Sequence, residues 1–278
     1  MDEPAKLDVV VVGGAGSMGR FTVRYLARLG TAKRLVIADL DLSRAQMLAA
    51  EVGEPCEALR LDATDEQELR RAFEGCDAVV NTLGPFSLLG PAILTAALEC
   101  GVDYVDIDDD WESTLDALAL DAEARRRGCC VIKGIGGSPG TSNLCAMSAA
   151  ARLDAVEELI TGWSLGGAVV EEEAAYQTAA GPTAAVEHWL LQSSGTIRVW
   201  DDGAEQEVRP LERLSLDIPG LGTNDVYTVG HPEAVTLPRA VPGLRRAINV
   251  MSGPAWIFDH LRAVAADYDA GRIDLREG

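Results

Sequence analysis

Residues 7–20, LDVVVVGGAGSMGR, decide the fold. Val9–Val12 is a run of β-branched apolar residues and reads as a buried strand. It runs straight into glycines, and Phe21–Leu29 beyond them has helical apolar spacing. Gly14-Ala15-Gly16-Ser17-Met18-Gly19 is therefore a G-x-G-x-x-G placed between strand and helix, the context that a dinucleotide fingerprint requires. Each glycine has a physical reason. Gly14 makes the tight turn, Gly16 allows close backbone approach to a pyrophosphate, and Gly19 allows close packing of helix on strand. The first N–H groups of the helix, from Ser17 and Met18 onward, then face the phosphates with the positive end of the helix dipole.

Outward from this stretch, the next strand, Arg34–Ala38, ends in Asp39, 20 residues past Gly19. An acid there accepts hydrogen bonds from the adenosine ribose hydroxyls and repels a 2′-phosphate. NAD is accordingly favoured, while Arg44 a few residues on keeps NADP open, because a guanidinium binds phosphate well. Further elements follow at short intervals. Ser43 is read as the cap of a helix to Val52, Glu57–Leu61 as a third strand, and Thr64 with Gln67 as a capping box for a helix closing at Gly75. Cys76–Leu83 is a buried fourth strand broken by Gly84-Pro85, followed by a helix over Pro91–Cys100. Asp103–Ile107 is the fifth strand, Trp111–Arg127 a long helix and Cys129–Ile135 the sixth strand. Strands alternating with helices on short loops predict an α/β Rossmann domain, a doubly wound parallel sheet, over residues 1–135.

After Gly136 the pattern changes to α+β. GGSPGTSN is a rigid turn, with Thr141 or Ser142 capping a small-residue helix to Arg152. Val156–Leu165 reads as a strand and Thr183–Gln192 as a helix. Thr196–Trp200 and Gln206–Val208 flank Asp201-Asp202-Gly203, a hairpin signal. Asp225–Val229 and Ala247–Met251 are further strands. Residues 136–252 are thus expected to form a substrate or dimerisation domain with a mixed or antiparallel sheet. The closing segment 253–278 holds an amphipathic helix, Pro254–Tyr268, for which packing back on the first domain is one placement that the sequence leaves open.

Composition narrows the partners. The formal charge is −20, from 24 basic and 44 acidic residues, which repels nucleic acid and acidic lipid. No apolar run reaches the ~18 residues of a membrane span, and residues 1–6 do not read as a signal peptide. The expected location is the cytoplasm. Six cysteines lie in or beside predicted elements without any C-x-x-C, so no metal site is expected and the thiols read as buried and free.

Four stretches together resemble the saccharopine dehydrogenase-like oxidoreductases: GGAGSMG at 13–19, VVNTLGPF at 79–86, GGSPGTSN at 136–143 and VGHPEAVTLPR at 229–239. The resemblance runs to about residue 250. It implies an NAD(P)-dependent dehydrogenase or reductase that transfers hydride at a C–N bond of an amino acid or related amine, lysine-6-dehydrogenase-like, working as a homodimer. Saccharopine- and carboxynorspermidine-type imine reduction is the neighbouring reading, and a non-catalytic dinucleotide-binding protein the distant one. Relatives carry more sheet after the TLPR-like stretch, whereas this chain stops after one helix, a departure that bears on the dimer surface. With no Tyr-x-x-x-Lys in the chain, a short-chain dehydrogenase is set aside.

The resemblance and the fold's logic place Asn81, Leu83, Gly84 and Pro85 beside the nicotinamide half and Asp62 beside the adenine. Asp106, Asp108, Asp109 and Asp110 cluster at the carboxyl end of the fifth strand, where such folds bind ligands. Acids gathered there suit a cationic amine and raise one another's pKa. Asp106, Asp108, Lys133 and His231 are the candidate catalytic groups, with His188 a further acid–base candidate and Tyr176 and Tyr227 weaker ones. Ser138, Pro139, Gly140, Thr141 and Asn143 are candidates for holding a substrate carboxylate. The arginines of the second domain are outnumbered by acids, which disfavours a substrate with several carboxylates.

Overall fold

The computed structural model describes residues 5–165 and 184–275, and the chain divides into two compact units. The first comprises residues up to Asp108 together with Ser113–Ile135; the second comprises Asp109–Glu112 and the chain from Gly136.

In the first unit, β1 (Leu7–Val12), β2 (Ala32–Asp39), β3 (Cys56–Arg60), β4 (Ala78–Asn81), β5 (Asp103–Asp106) and β6 (Val131–Ile132) form one sheet in the order β3-β2-β1-β4-β5-β6. Every pairing is parallel. This is the doubly wound order with its switch point between β1 and β4. The β1 valines explain why the strand is central. Side chains alternate between faces, so Val10 and Val12 pack with Phe73, Ile93 and Leu94, while Val9 and Val11 pack with Leu35, Ile37 and Val23 on the other face. A strand buried on both faces needs an unbroken apolar run, and Val9–Val12 supplies it.

The intervening helices are α1 (Gly19–Leu29), α2 (Leu42–Val52), α3 (Glu66–Phe73), α4 (Phe86–Cys100), α5 (Trp111–Ala119) and α6 (Asp121–Arg127). Several boundaries differ from the sequence reading. The α2 cap is Asp41, which accepts the Arg44 N–H, rather than Ser43. Asp65 rather than Thr64 caps α3, accepting from the N–H groups of Gln67 and Glu68. In both cases an Asp close to the expected cap offers a charged acceptor. Helix α4 opens at Phe86 with Pro85 at its N-cap, so Pro91 lies inside it. The long helix expected over Trp111–Arg127 is broken at Leu120, and the sixth strand is only two residues long.

The second unit holds a mixed sheet of β7 (Glu158–Ser164), β8 (Ile197–Asp201), β9 (Ala204–Val208), β10 (Arg213–Ile218), β11 (Gly222–Val229) and β12 (Arg246–Ser252). The buried strand β12 is its centre, parallel to β7 and antiparallel to β11 and β8. The expected hairpin is present: Asp201 pairs with Ala204, and Asp202 and Gly203 both take positive φ (49° and 79°), as a two-residue primed turn requires. Strand β10 is an addition to the sequence reading, although RLSLDI alternates strictly and its burial follows that alternation. Helices α7 (Ser142–Ala150), α8 (Ala184–Gln192), α9 (Glu233–Ala240) and α10 (Ala255–Asp269) complete the unit. The closing helix has its core contacts within the second unit. Phe258 of α10 is fully buried and stacks on Tyr227 with ring centroids 3.9 Å apart, in one cluster with Leu211, Val229 and Met251. Tyr227 is thereby a core residue.

Among the described residues, no helix is long and apolar enough to cross a membrane. The expectation of buried thiols holds least well for Cys130 and Cys145, which are exposed; the other four are half-buried. Burial pushes the Cys76 thiol up to about 12, so it stays protonated and unreactive.

Candidate functional site

The turn between β1 and α1 is closed by backbone-to-backbone packing. A Cβ on Gly19 would lie 2.1 Å from the Gly13 carbonyl oxygen and 2.7 Å from the Gly14 Cα, and one on Gly14 would lie 3.0 Å from the Val11 oxygen. Gly16 is less confined: its Cβ would meet only the Gly13 oxygen, at 3.1 Å. The exposed residues Ser17 and Met18 follow, leading into the first turn of α1, where the Arg20 N–H bonds the Gly16 oxygen and the Thr22 N–H the Met18 oxygen, both at 3.1 Å. Asp39 at the end of β2 braces the turn, with Oδ2 accepting the Ala15 N–H at 3.0 Å and Oδ1 the Asp41 N–H at 3.0 Å. Beside it a cavity of about 170 Å³ is lined by Gly13, Asp39, Asp62, Thr64, Leu83 and Leu89 among others. A glycine cradle leading into a helix N-terminus and an acid lining the adjoining cavity fit a dinucleotide with its adenosine half at β2.

The other residues expected at the cofactor fall into three groups. Asp62 lines the cavity, and the Thr64 hydroxyl and N–H hold its carboxyl below the usual carboxylate range. Leu83 lines it too, with Cβ only 3.0 Å from where a Gly13 Cβ would stand. Asn81 is fully buried and braces instead of contacting: its amide donates to the Tyr104 hydroxyl and accepts the Leu83 N–H, both at 3.0 Å, fixing the turn that carries Gly84 and Pro85. Arg44 is exposed on α2 and does not line the cavity.

At the carboxyl ends of β5 and β6, Lys133, Asp106 and Asp108 form a compact ion cluster. Lys133 Nζ bonds Asp106 Oδ2 at 2.7 Å and also bonds Asp108 Oδ2, which the Ser113 hydroxyl joins. Both carboxylates are fully buried. Asp106 Oδ1 further accepts the Gly134 N–H at 2.8 Å, tying the end of β5 to the end of β6. Burial drives the Asp108 carboxyl up to about 6, with Asp106 adding to the rise and Lys133 opposing it. Burial lowers the Lys133 ammonium, but the two carboxylates outweigh it, and the net shift is upward. One cation between two buried acids leaves a net negative charge. Because the folded-state value of Asp108 exceeds its ordinary 3.8, the stability it contributes is fully present below that value and is lost as pH rises through about 6. Asp108→Asn is therefore expected to gain in melting temperature relative to the parent chain as pH is raised across this window. A difference that stays constant with pH would show that Asp108 does not titrate there.

The second unit gathers a separate cluster. His188 and Gln192, one turn apart on α8, both reach Asp110 Oδ1, at 2.6 Å from Nδ1 and 3.4 Å from Nε2 respectively. Gly230 permits this part of the fold to close, since a Cβ there would lie 2.2 Å from Gln192 Oε1. His231 follows directly, its ring edge-on to His188 at 5.4 Å and against Trp163 at 4.5 Å. Its Nδ1 lies 3.0 Å from Ser138 Oγ. The hydroxyls of Ser138 and Ser142 both donate to the carboxylate of Glu233, which is fully buried. Burial alone would raise that carboxyl; His231 and the two serines outweigh it and hold it low. Ser138 in the turn at Gly137–Thr141 and Ser142 just after it thus direct their hydroxyls at a carboxylate of the protein itself. Of the remaining candidates there, Pro139 is buried, Gly140 continues the turn, Thr141 bonds back to the Gly136 oxygen, and Asn143 bonds Thr236 on α9. Tyr176 lies outside the described residues. Glu233 is a site residue that sequence reasoning misses. The only signal for it is an acid two residues from His231 in a stretch that otherwise reads as a turn.

The fold and the glycine cradle define a dinucleotide-binding Rossmann protein, and comparison with known proteins shows what its first unit resembles. Residues 9–132 match the saccharopine dehydrogenase NADP binding domain. Carboxyaminopropylagmatine dehydrogenase of a Synechocystis species is 26% identical over 275 residues, spanning 92% of this chain and 65% of its own. A Mycobacterium tuberculosis protein provisionally named as a trans-acting enoyl reductase is 28% identical over 165 residues, 56% of this chain and 39% of its own. Among solved structures, apo saccharopine dehydrogenase (L-Glu forming) from Saccharomyces cerevisiae superposes with a TM-score of 0.65 at 17% identity, over 93% of this chain and 57% of that one. Residues 9–132 of the first unit are thus similar to the nicotinamide dinucleotide-binding domain of saccharopine dehydrogenases, and the fold of the chain is that of saccharopine dehydrogenase. The chain spans less than two thirds of the length of each of these relatives.

Proposed function

We propose that this chain is an NAD(P)-dependent oxidoreductase acting at the C–N bond of an amino acid or related amine. The observation that carries this reading is the buried Lys133–Asp106–Asp108 cluster at the carboxyl ends of β5 and β6, in the same unit as the glycine cradle. Bound NAD(P) supplies the hydride acceptor or donor. The protein has to bind a cationic amine, take the proton that leaves the nitrogen as the C–H hydride departs, and return it in the reverse direction. Asp108 has a carboxyl poised near 6, which suits a group that takes and gives a proton near neutrality. Lys133 Nζ holds Asp106 and Asp108 in place and keeps the pair from repelling each other. The imine that results, or that is reduced in the opposite direction, exchanges with carbonyl and amine by addition or loss of water.

The alignment with the carboxyaminopropylagmatine dehydrogenase extends across both units, whereas that with the enoyl reductase covers about half of the chain, which favours an amine over an enoyl substrate. Five arginines of the second unit, Arg198, Arg213, Arg239, Arg245 and Arg246, are engaged in ion pairs with acids of that unit, which supports a substrate with few carboxylates.

The test is a thermal-shift titration with NAD, NADH, NADP and NADPH, followed by nicotinamide absorbance assays with lysine, ornithine, diamines, saccharopine and an enoyl thioester. Stabilisation by one dinucleotide pair with turnover of an amine is expected. Turnover of the enoyl thioester alone, or of no compound in the presence of a stabilising cofactor, would overturn the amine reading. Asp39 sets the cofactor within this proposal. Asp39→Ala combined with an added arginine at Leu40 is expected to move preference from NAD toward NADP, measured as the ratio of the two dissociation constants. An unchanged ratio would remove Asp39 from the ribose site.

A further inference from the structure

The proton transfer proposed above leaves the histidine pair of the second unit without an assigned step. We propose that Asp109, His188 and His231 form a site for a divalent transition-metal ion of the zinc type. One donor atom from each residue lies within 4.8 Å of the other two. The pair His188 Nε2 and Asp109 Oδ2 is already at 3.6 Å. A tetrahedral zinc site with bonds of about 2.0–2.1 Å needs donors about 3.3–3.4 Å apart, so closure requires side-chain movements of about 1 Å.

The surroundings of the imidazoles carry the argument further. A metal-binding histidine commonly has its other ring nitrogen held by a carboxylate or hydroxyl, which fixes the tautomer and aims the donor nitrogen. Both histidines have that arrangement. His188 Nδ1 is held by Asp110 at 2.6 Å, and His231 Nδ1 by Ser138 Oγ at 3.0 Å with Glu233 Oε2 at 3.5 Å. Anchored through Nδ1, each ring offers Nε2. The rings sit edge-on at 5.4 Å and both are buried, at 7% and 5% exposure. Three carboxylates, Asp109, Asp110 and Glu233, surround two imidazoles, a surplus of negative charge that a dication neutralises. Two nitrogens and one oxygen suit zinc and its first-row neighbours better than magnesium or calcium, which prefer all-oxygen sets. Water completes the fourth position.

Such an ion would clip together three segments distant in sequence: the stretch before α5, the middle of α8 and the loop between β11 and α9. No short-range motif announces it, since the ligands are separated by 79 and 43 residues.

The full chain, stripped with a chelator and dialysed, is to be titrated with Zn²⁺ alone and in parallel with Co²⁺. One equivalent bound, a higher melting temperature and the visible bands of tetrahedral cobalt are expected. His188→Gln and His231→Gln should abolish the bands. Asp110→Asn, which removes only the anchor of His188, should weaken binding about 10–100-fold. His260→Gln, exposed on α10, should bind like the parent chain. Absence of stoichiometric uptake by the parent chain, or undiminished binding by His188→Gln, would overturn the site. Should either histidine variant fail to fold, the parent's cobalt spectrum and Asp109→Asn decide. Asp109 is half-exposed, so this substitution spares the core, and loss of the bands supports the site while their retention rejects it.

Discussion

Lys133→Met is expected to destabilise the protein by about 3–5 kcal/mol, the range seen when one partner of a buried ion pair is removed and the other stays behind as an uncompensated charge. Here two charges would be stranded. Asp106 and Asp108 are both fully buried, and Lys133 is the cation they share. Among their other partners, the Ser113 hydroxyl and the Gly134 N–H bring hydrogen bonds without charge. The loss should be largest at the alkaline end and shrink as pH falls toward about 6, because without the Lys133 ammonium, which holds it down, the Asp108 carboxyl takes up its proton above that value. Urea denaturation midpoints check this, and the double variant Lys133→Met/Asp108→Asn provides the control. Replacing Asp108 removes one stranded charge, so the double variant should recover part of the loss. A Lys133→Met chain as stable as the parent would mean that the cluster is solvated enough to need no cation, and Asp108 would lose its place in the proposed proton transfer as well.

Gly19→Ala is expected to open the β1–α1 turn and abolish cofactor binding. The added methyl carbon would stand 2.1 Å from the Gly13 oxygen and 2.7 Å from two atoms of Gly14, all of them backbone, so no side-chain rotation relieves the clash. Overpacking usually costs about 1–3 kcal/mol where side chains can shift; with backbone on every side the effect should reach or exceed the top of that range. Gly16→Ala is the informative contrast. Its methyl meets only the Gly13 oxygen, at 3.1 Å, so the fold should survive while the methyl obstructs the pyrophosphate. Thermal shift separates the two variants: Gly19→Ala should lower the melting temperature with or without dinucleotide, and Gly16→Ala should keep the parent's value but lose the rise that ligand binding produces. A Gly16→Ala chain stabilised by dinucleotide like the parent would place the pyrophosphate elsewhere.

Both variants act on features that are legible in the sequence. The valine run, the glycine spacing and the acid after β2 are encoded within some 30 consecutive residues, and each local choice agrees with its neighbours. The same holds for the Asp202-Gly203 hairpin. Local reading fails where neighbouring residues compete for one role. Asp41 and Asp65 stand beside residues that could also cap, and Leu120 interrupts a stretch whose helical spacing runs on through it. Asn81 shows a further limit. Its position at the end of β4 is legible, but its use as a brace between Tyr104 and the Leu83 N–H depends on which strand lies alongside.

The sequence alone thus determined the doubly wound first unit, its dinucleotide cradle, the acid that braces it and the acid-rich end of β5. The tertiary structure alone decided that Lys133 meets Asp106 and Asp108, that Glu233 takes the hydroxyls of Ser138 and Ser142, and that Asp109 and Asp110 converge on His188. The physical reason is range. Helix spacing, turn residues and strand alternation express interactions over a few residues, whereas the His188–Asp110 and Ser138–Glu233 bonds join residues 78 and 95 positions apart. Such bonds are set by strand register and helix packing, which no local pattern encodes.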